Sequence, residues 1–321
     1  MPEDLQLLAL DQAPREGIEP LVRDHGVSRF LVEPAFTVEP RHGYLWELIE
    51  ADAAGDDAVA TVVLREGRVV GLCVLRYPAW DREHFGFVVG RVEHLIGEDR
   101  SAIDSLIDWV VDSLREHEAT MCSARLYIDA LPALQSLEAR GFRFQEHTLT
   151  PWRRLTDWEP RRFGVTRPAE PEDLPRMCEI ARLTFRTDRF HRDPRFDPAA
   201  ADGVYEKWVR GWHAKPGADR FSIALIIDGD VAGFSLFELV SLDRLGGARI
   251  LSIVLTGVDP KCAGRGNGYR LLCDELDLMQ ERAQYATTPV FTGNMPVVNL
   301  FVGKLGFRLS GGGELTLHRW E

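Results

Sequence analysis

VDPKCAGRGNGYRLL, residues 258–272, is the stretch from which the rest of the chain is most readily understood. It follows RILSIVLTGV (249–258), a nearly continuous apolar run that predicts a strand covered on both faces. Pro260 stops the strand, Gly264, Gly266 and Gly268 alternate, and a helix is predicted over 268–283. Glycines at this spacing let the backbone turn with positive φ and approach a ligand closely. The consecutive N–H groups and the helix N-terminus then offer partial positive charge to an anion. Arg265 adds a full charge. No Gly-Lys-Ser/Thr follows, so this is not a Walker loop, and the strand does not open its domain as a dinucleotide fingerprint requires. The alternative is a tight strand–helix turn that needs glycines only for close packing.

Outward from the loop, two halves read alike. In the second, helices are predicted over 171–185 and 198–213, the latter with Val204, Tyr205, Trp208, Val209 and Trp212 on one side. FSIALIIDGDVAGFSLFELV (221–240) is a hairpin turning at Asp228-Gly229-Asp230. VFTGN (290–294), a helix over 297–304, KLGFRLS and the strand LTLHRW close the chain. The first half has a helix over 41–52, a hairpin turning at Glu66-Gly67-Arg68, a strand over 85–92 and a helix over 101–117. ARLYIDA (124–130), a helix over 132–140 and the Gly-Phe turn of ARGFRFQEHTL (139–149) follow. Hairpins followed by strand–helix–strand units, twice over, describe an α+β chain with a mixed, mainly antiparallel sheet flanked by helices in each half. Pro and charge interrupt the periodicity between 152 and 166, which divides the chain into domains 1–158 and 163–321.

The 321 residues suit two domains, and 45% apolar with 27% charged residues is the balance of a soluble globular protein. No stretch approaches the roughly 20 apolar residues of a membrane span, and the N-terminus lacks the pattern of a secretion signal. Cytoplasmic residence is therefore expected. Cys73, Cys122, Cys178, Cys262 and Cys273 are scattered and form no CxxC pair, which argues against a disulfide framework and a zinc site, and no metal is expected. A net charge of −12 argues against nucleic-acid binding. The one basic cluster, Arg153, Arg154, Arg161 and Arg162, brackets Asp157 and Glu159 at the junction.

The loop resembles the pyrophosphate loop of the GNAT superfamily of N-acyltransferases, Gln/Arg-x-x-Gly-x-Gly/Ala after a strand. Ala263 takes the Gln/Arg place, Gly266 the first Gly and Gly268 the second. NMPVVNLFVGKLGFR (294–308) is similar to the family's Asn-containing segment ending in Tyr-x-Lys-Leu-Gly-Phe. The resemblance covers roughly 163–321 and implies acetyl-CoA, or another acyl-CoA, as co-substrate. It would be held by Val258, Ala263, Gly264, Arg265, Gly266, Asn267, Gly268, Tyr269 and Asn294. Two departures stand out. Ala263 lacks the polar side chain, and Val302 replaces the tyrosine that commonly protonates the departing thiolate. The first half has only Gly97 at the matching place, followed by Glu98 and Asp99, whose charges would repel a pyrophosphate. It reads as a degenerate copy.

For the acceptor, residues 181–213 (ARLTFRTDRFHRDPRFDPAAADGVYEKWVRGWH) resemble the TDP-fucosamine acetyltransferase branch, which acetylates a nucleotide-linked amino sugar. PAWDREHFGFVVGRVEHL (78–95) and the ending LHRW carry the same likeness. The likeness implies a small-molecule amine acceptor contacted by Arg189, Arg192, His191 and Trp208, cations for phosphate and an aromatic face for sugar or base. Core packing is the alternative for Trp208 and Trp212, and a surface loop contact for His191. Amine acylation needs a base, for which Glu238 is the first candidate and Asp243 the reserve. The carbonyl oxygen calls for a free backbone N–H, expected near Val258 where the strand splays. Cys262 has no evident activating base nearby. Tandem halves also resemble mycothiol synthase and a fold that uses aminoacyl-tRNA, the latter opposed by the negative charge. A CoA-binding sensor without catalysis is the non-enzyme alternative, motivated by Val302.

Overall fold

The computed structural model describes residues 4–27, 38–242 and 247–321, with the backbone alone for 38–42. Among these residues fourteen strands run β1 (Leu5–Ala9), β2 (Ala58–Arg65), β3 (Arg68–Arg76), β4 (Val89–Gly97), β5 (Met121–Tyr127), β6 (Arg143–Leu149), β7 (Trp152–Arg154), β8 (Thr166–Pro168), β9 (Arg220–Ile227), β10 (Asp230–Leu242), β11 (Ala248–Val258), β12 (Tyr285–Thr287), β13 (Val290–Phe291) and β14 (Glu314–Trp320). The α-helices are α1 (Arg15–His25), α2 (Val38–Ala53), α3 (Ala79–Phe85), α4 (Arg100–Glu116), α5 (Leu131–Ala139), α6 (Leu174–Thr184), α7 (Arg189–Arg192), α8 (Pro198–Ala214), α9 (Asn267–Met279) and α10 (Met295–Val298). Residues 1–147 with 312–321 form one compact unit, and residues 148–311 the other.

In the first unit the sheet order is β1-β2-β3-β4-β5-β14-β6. The apolar stripe of α4 (Ala102, Ile103, Leu106, Ile107, Val110, Leu114) joins Val63, Val70, Leu75 and Val92 in one core. Ile18 and Val22 of α1 and Leu45 and Ile49 of α2 pack with Val62, Leu72 and Val74 in another. Full burial of each such aliphatic side chain contributes roughly 1.5–3 kcal/mol. The strand expected over 85–92 begins later, at Val89, because Pro78 opens α3 and Gly86, at φ 79°, ends it. Neither β1 nor α1 was expected from the sequence.

The second unit has the order β7-β12-β11-β10-β9-β8. Its hairpin turns where expected, with Asp228 and Gly229 at φ 53° and 90° between β9 and β10. Leu271, Leu272, Leu276 and Met279 of α9 pack with Phe237, Leu251 and Ile253. Met177, Ile180, Ala181 of α6 and Val209 and Trp212 of α8 pack with Phe234, Leu236 and Leu255. β11 therefore contributes to two cores, as its apolar run demands. The helix expected over 268–283 ends four residues early at Met279. That expected over 297–304 is α10, one turn long, followed by wider π-type turns over Asn299–Lys304.

A single cut between 158 and 163 does not describe the compact units, because the end strands are exchanged. β14 pairs antiparallel with β5 along all seven residues, Glu314 opposite Tyr127 through Trp320 opposite Met121. β7, from the end of the first half, pairs with β12, Trp152 opposite Thr287. The segment after β7 is fastened to α9 by two aspartates. Asp277 accepts from the backbone N–H of Arg161 (3.0 Å) and Arg162 (2.6 Å) and from Trp158 Nε1 (2.6 Å). Asp274 accepts from the N–H of Gly164 (3.0 Å) and Val165 (2.7 Å).

Candidate active site

β11 pairs with β10 along its whole length, but the register shifts between Leu236 and Phe237, opposite Leu255 and Ile253. Val254 is the extra residue of a β-bulge, which bends the strand and increases its twist. On the other side, β12 pairs only with Ile250, Leu251 and Ser252. Beyond Ser252 no strand covers that edge of β11 among the described residues, over roughly 20 Å at about 3.3 Å per residue. The open edge thus begins six residues before Val258 and includes the stretch 255–258 where a free N–H was expected. The Val258 carbonyl accepts from the Thr184 hydroxyl at the end of α6 (3.2 Å).

The glycine loop follows the open edge. Asp259, 3% exposed, accepts from the Lys261 N–H (2.8 Å) and from Arg176, and these contacts hold its carboxyl below the usual range. Pro260–Cys262 make a short 3-10 turn. Gly264 and Gly266 then take φ 76° and 81°, the left-handed region that side chains rarely adopt. A Cβ at either would meet nothing within 4 Å, so backbone conformation, not close packing, requires these glycines. Gly268 differs: it lies inside α9, and a Cβ there would stand 3.8 Å from Leu300 and 3.9 Å from Val258. Ala263, Gly264, Arg265 and Gly266 are exposed, and buried Asn267 closes the loop with its Nδ2 on the Cys262 carbonyl (2.9 Å). Gly266 is the N-cap of α9, and no side chain caps the helix. Its first-turn amides have no partner within the helix and are free to meet an anion.

The other two residues expected at the cofactor, Tyr269 and Asn294, lie beyond the loop's glycines. Tyr269 packs edge-on against Phe163 of the linker, ring centroids 5.8 Å apart. Asn294 precedes α10, its carbonyl accepting from the N–H of Val297 and Val298 (3.0 Å each). Val302 sits half-buried in the π-type turns. Cys262 is a free, half-buried thiol.

In the first unit the matching helix N-terminus is already filled. Asp99 caps α4, accepting from the Ala102 N–H (3.0 Å), and is gripped by Arg65 (2.8 and 3.2 Å). Arg65, with the helix amide, holds its carboxyl well below the usual range. A Cβ on Gly97 would strike Ile103 at 2.6 Å. A carboxylate from the chain itself stands where an external phosphate would bind.

The segment between α6 and α8 is tightly braced. Asp188 caps α7 through the N–H of Phe190 (2.7 Å) and His191 (3.3 Å). His191 uses both ring nitrogens internally, Nδ1 with Asp188 (2.8 Å) and Nε2 with Asp202 (3.0 Å). Arg189 lies over the Phe190 ring (4.4 Å), and Arg192 over Phe291 (5.0 Å), which brings α7 against β13. The two tryptophans of α8 separate: Trp212 is 9% exposed in the core, and Trp208 is 42% exposed. Tyr205 stacks between Phe185 (4.5 Å) and Trp208 (6.1 Å). Glu238 stands within β10, which runs on to Leu242, instead of at the strand's end. It is opposite Ser252, the last residue before the fork, and 3.5 Å from Arg220. Asp243 lies outside the described residues.

One group escaped the sequence reading. Glu275, on the inner face of α9, is wholly buried, and neither carboxyl oxygen has a hydrogen bond of good geometry. Burial pushes its pKa up to about 8, with the neighbouring Ser235 hydroxyl offsetting part of the rise. Its signal was a carboxylate inside the stripe Leu271, Leu272, Leu276, Met279.

Among the described residues no group of three or more His, Cys, Asp or Glu could hold a metal ion, and no helix is long and apolar enough to cross a membrane. No protein-family model matches the sequence, nor does any curated protein. Solved structures do match in fold. A tandem GNAT protein from the clavulanic acid biosynthesis pathway aligns over 98% of both chains (16% identity, TM-score 0.56). A GCN5-related N-acetyltransferase from Sphaerobacter thermophilus covers 99% of this chain and 96% of its own (17%, 0.62). The glucosamine N-acetyltransferase region of a fungal multi-domain β-N-acetylglucosaminidase covers 99% of this chain and 38% of its own (13%, 0.63). With two mixed sheets flanked by helices, the chain has the fold of the tandem GCN5-related N-acetyltransferases.

Proposed function

We propose that the protein is a cytoplasmic acyl-CoA-dependent N-acyltransferase, moving an acetyl or other acyl group to the primary amine of an amino-sugar nucleotide or similar small metabolite. The observation that carries this reading is an exposed, uncapped glycine loop at a helix N-terminus directly after an open strand edge. The amides of residues 264–268 and Arg265 suit a diphosphate, and the cradle is open where a side chain would fill it. Acyl-CoA, when bound, supplies an activated thioester carbonyl. The free N–H groups of β11 beyond Ser252 offer donors to a carbonyl oxygen. Glu238, at the fork, is the candidate to take the ammonium proton, with Arg220 beside it. Trp208 and Arg189 are the candidate acceptor contacts. His191, with both nitrogens engaged, serves by holding α7 to α8. The amino-sugar reading draws support from the fold shared with the glucosamine N-acetyltransferase region.

Gly266→Asp tests the loop, since it strains a residue at φ 81° and sets a carboxylate against the anion. Acetyl-CoA affinity by calorimetry should fall at least 100-fold while the protein still melts cooperatively. Unchanged affinity in folded protein would refute the assignment. A second reading, a CoA-binding sensor without catalysis, is favoured by Val302, which cannot donate a proton. Acetyl-CoA binding with no CoA release across amino-sugar nucleotides and simple amines would establish it.

A further inference from the structure

Glu275 has a route out of the core. It faces β10 from α9, and the hydroxyl beside it is that of Ser235, itself fully buried. Ser235 Oγ lies 2.9 Å from Thr256 Oγ1, its cross-strand partner on β11. Thr256 is half-buried and belongs to the stretch of β11 that no strand covers on its other side among the described residues. Side chains two apart on a strand share a face, so Thr256 points the same way as Val258. That way lie the first turn of α9 and the π-type turns, since a Cβ on Gly268 would meet both Val258 (3.9 Å) and Leu300 (3.8 Å). The same turns carry Val302, which cannot donate a proton.

A carboxyl and two hydroxyls thus run in file from the interior to the open edge. Each hydroxyl donates and accepts at once, so a proton entering at one end can leave at the other. An aliphatic residue at 275 would pack among Leu271, Leu272, Leu276 and Met279 without the cost of burying a poorly hydrogen-bonded carboxyl. The titratable groups nearby are engaged elsewhere. Asp274 accepts from the N–H of Gly164 and Val165, Cys273 pairs with Tyr269, and Glu238, three residues along β10, lies 3.5 Å from Arg220. Burial, offset in part by Ser235, therefore keeps Glu275 protonated at neutral pH.

We propose that Glu275, Ser235 and Thr256 form a proton relay serving the open edge of β11, a role that rests on the acyl-CoA reading. Thr256 is the group that meets the departing sulfur, and Glu275 acts through it. As the C–S bond of the thioester breaks, its electron pair stays on sulfur. The Thr256 hydroxyl gives its proton to that sulfur and takes one from Ser235, which takes one from the Glu275 carboxyl. CoA leaves as a thiol, and Glu275 is left as a carboxylate. Water returns the proton along the same hydroxyls once CoA has gone, the ammonium proton having left separately to Glu238. Infrared difference spectroscopy at pH 7 tests the relay without an acceptor. A protonated-carboxyl band absent from Glu275→Gln identifies the residue. CoA should shift this band, and desulfo-CoA, which lacks the sulfur, should not; a carboxyl with a purely structural role would not distinguish the two. Ser235→Ala and Thr256→Val should keep the band and lose the shift, whereas Thr256→Ser, which restores the hydroxyl, should retain it. A missing band, or one unmoved by CoA in protein that calorimetry shows to bind it, overturns the relay alone. Failure to bind CoA at all removes the cofactor assignment and the relay with it.

Discussion

Glu275→Gln should stabilise the protein increasingly as pH rises. The wild-type carboxyl has an ordinary value of 4.5 and is pushed up to about 8 by burial. Between those values the folded chain holds a proton that the unfolded chain releases, so stability falls with rising pH. The contribution is fully present below about pH 4.5 and lost as pH climbs through 8. At 1.36 kcal/mol per unit, wild type has lost about 3 kcal/mol at pH 7 and about 5 kcal/mol above pH 8. Glutamine has nearly the same shape and no charge, so its curve lacks this slope. Its amide, no better partnered than the carboxyl, adds a penalty that does not change with pH. Urea unfolding of both proteins at pH 5, 7 and 8.5 reads the difference. The gap should widen by about 4 kcal/mol from pH 5 to 8.5, somewhat less than the full shift because pH 5 already lies above 4.5. A constant gap would mean that Glu275 is solvated or ion-paired, and the burial argument would fail.

Glu238→Gln should reduce turnover mainly below the pKa of the acceptor amine, where a proton must be removed; an unchanging wild-type-to-mutant ratio across pH would count against Glu238 as base. Asp277→Ala leaves the indole of buried Trp158 without its acceptor, at about 1–3 kcal/mol, and frees two exposed backbone N–H groups to water. Limited proteolysis should then cut faster between 158 and 165, and an unchanged rate would show that other contacts hold the segment.

The glycine loop was legible because its chemistry is local: positive φ at Gly264 and Gly266 leaves few alternatives to glycine. The hairpin turn at 228–229 was legible for the same reason. Strand partners are another matter. LTLHRW and PWRR have similar composition whichever sheet they join, and nothing local specifies that β14 lies beside β5. A strand was expected to begin at Phe85, yet Pro78 and Gly86 frame a helix that includes it. That the open edge begins as early as Ile253 was not legible, because only the length of β12 determines where it opens. Trp208 and Trp212, one turn apart, point to different surroundings, a distinction set by the packing of α6 on α8.

The exchange of end strands bears on how the protein is made. Until residue 320 has been synthesised, β5 of the first sheet has no neighbour at the place of β14. The first unit is therefore not finished first, although most of it is translated first. A stalled or clipped chain would present an unpaired strand edge, a template for aggregation. Neither half can be cut away from the other without leaving a sheet incomplete.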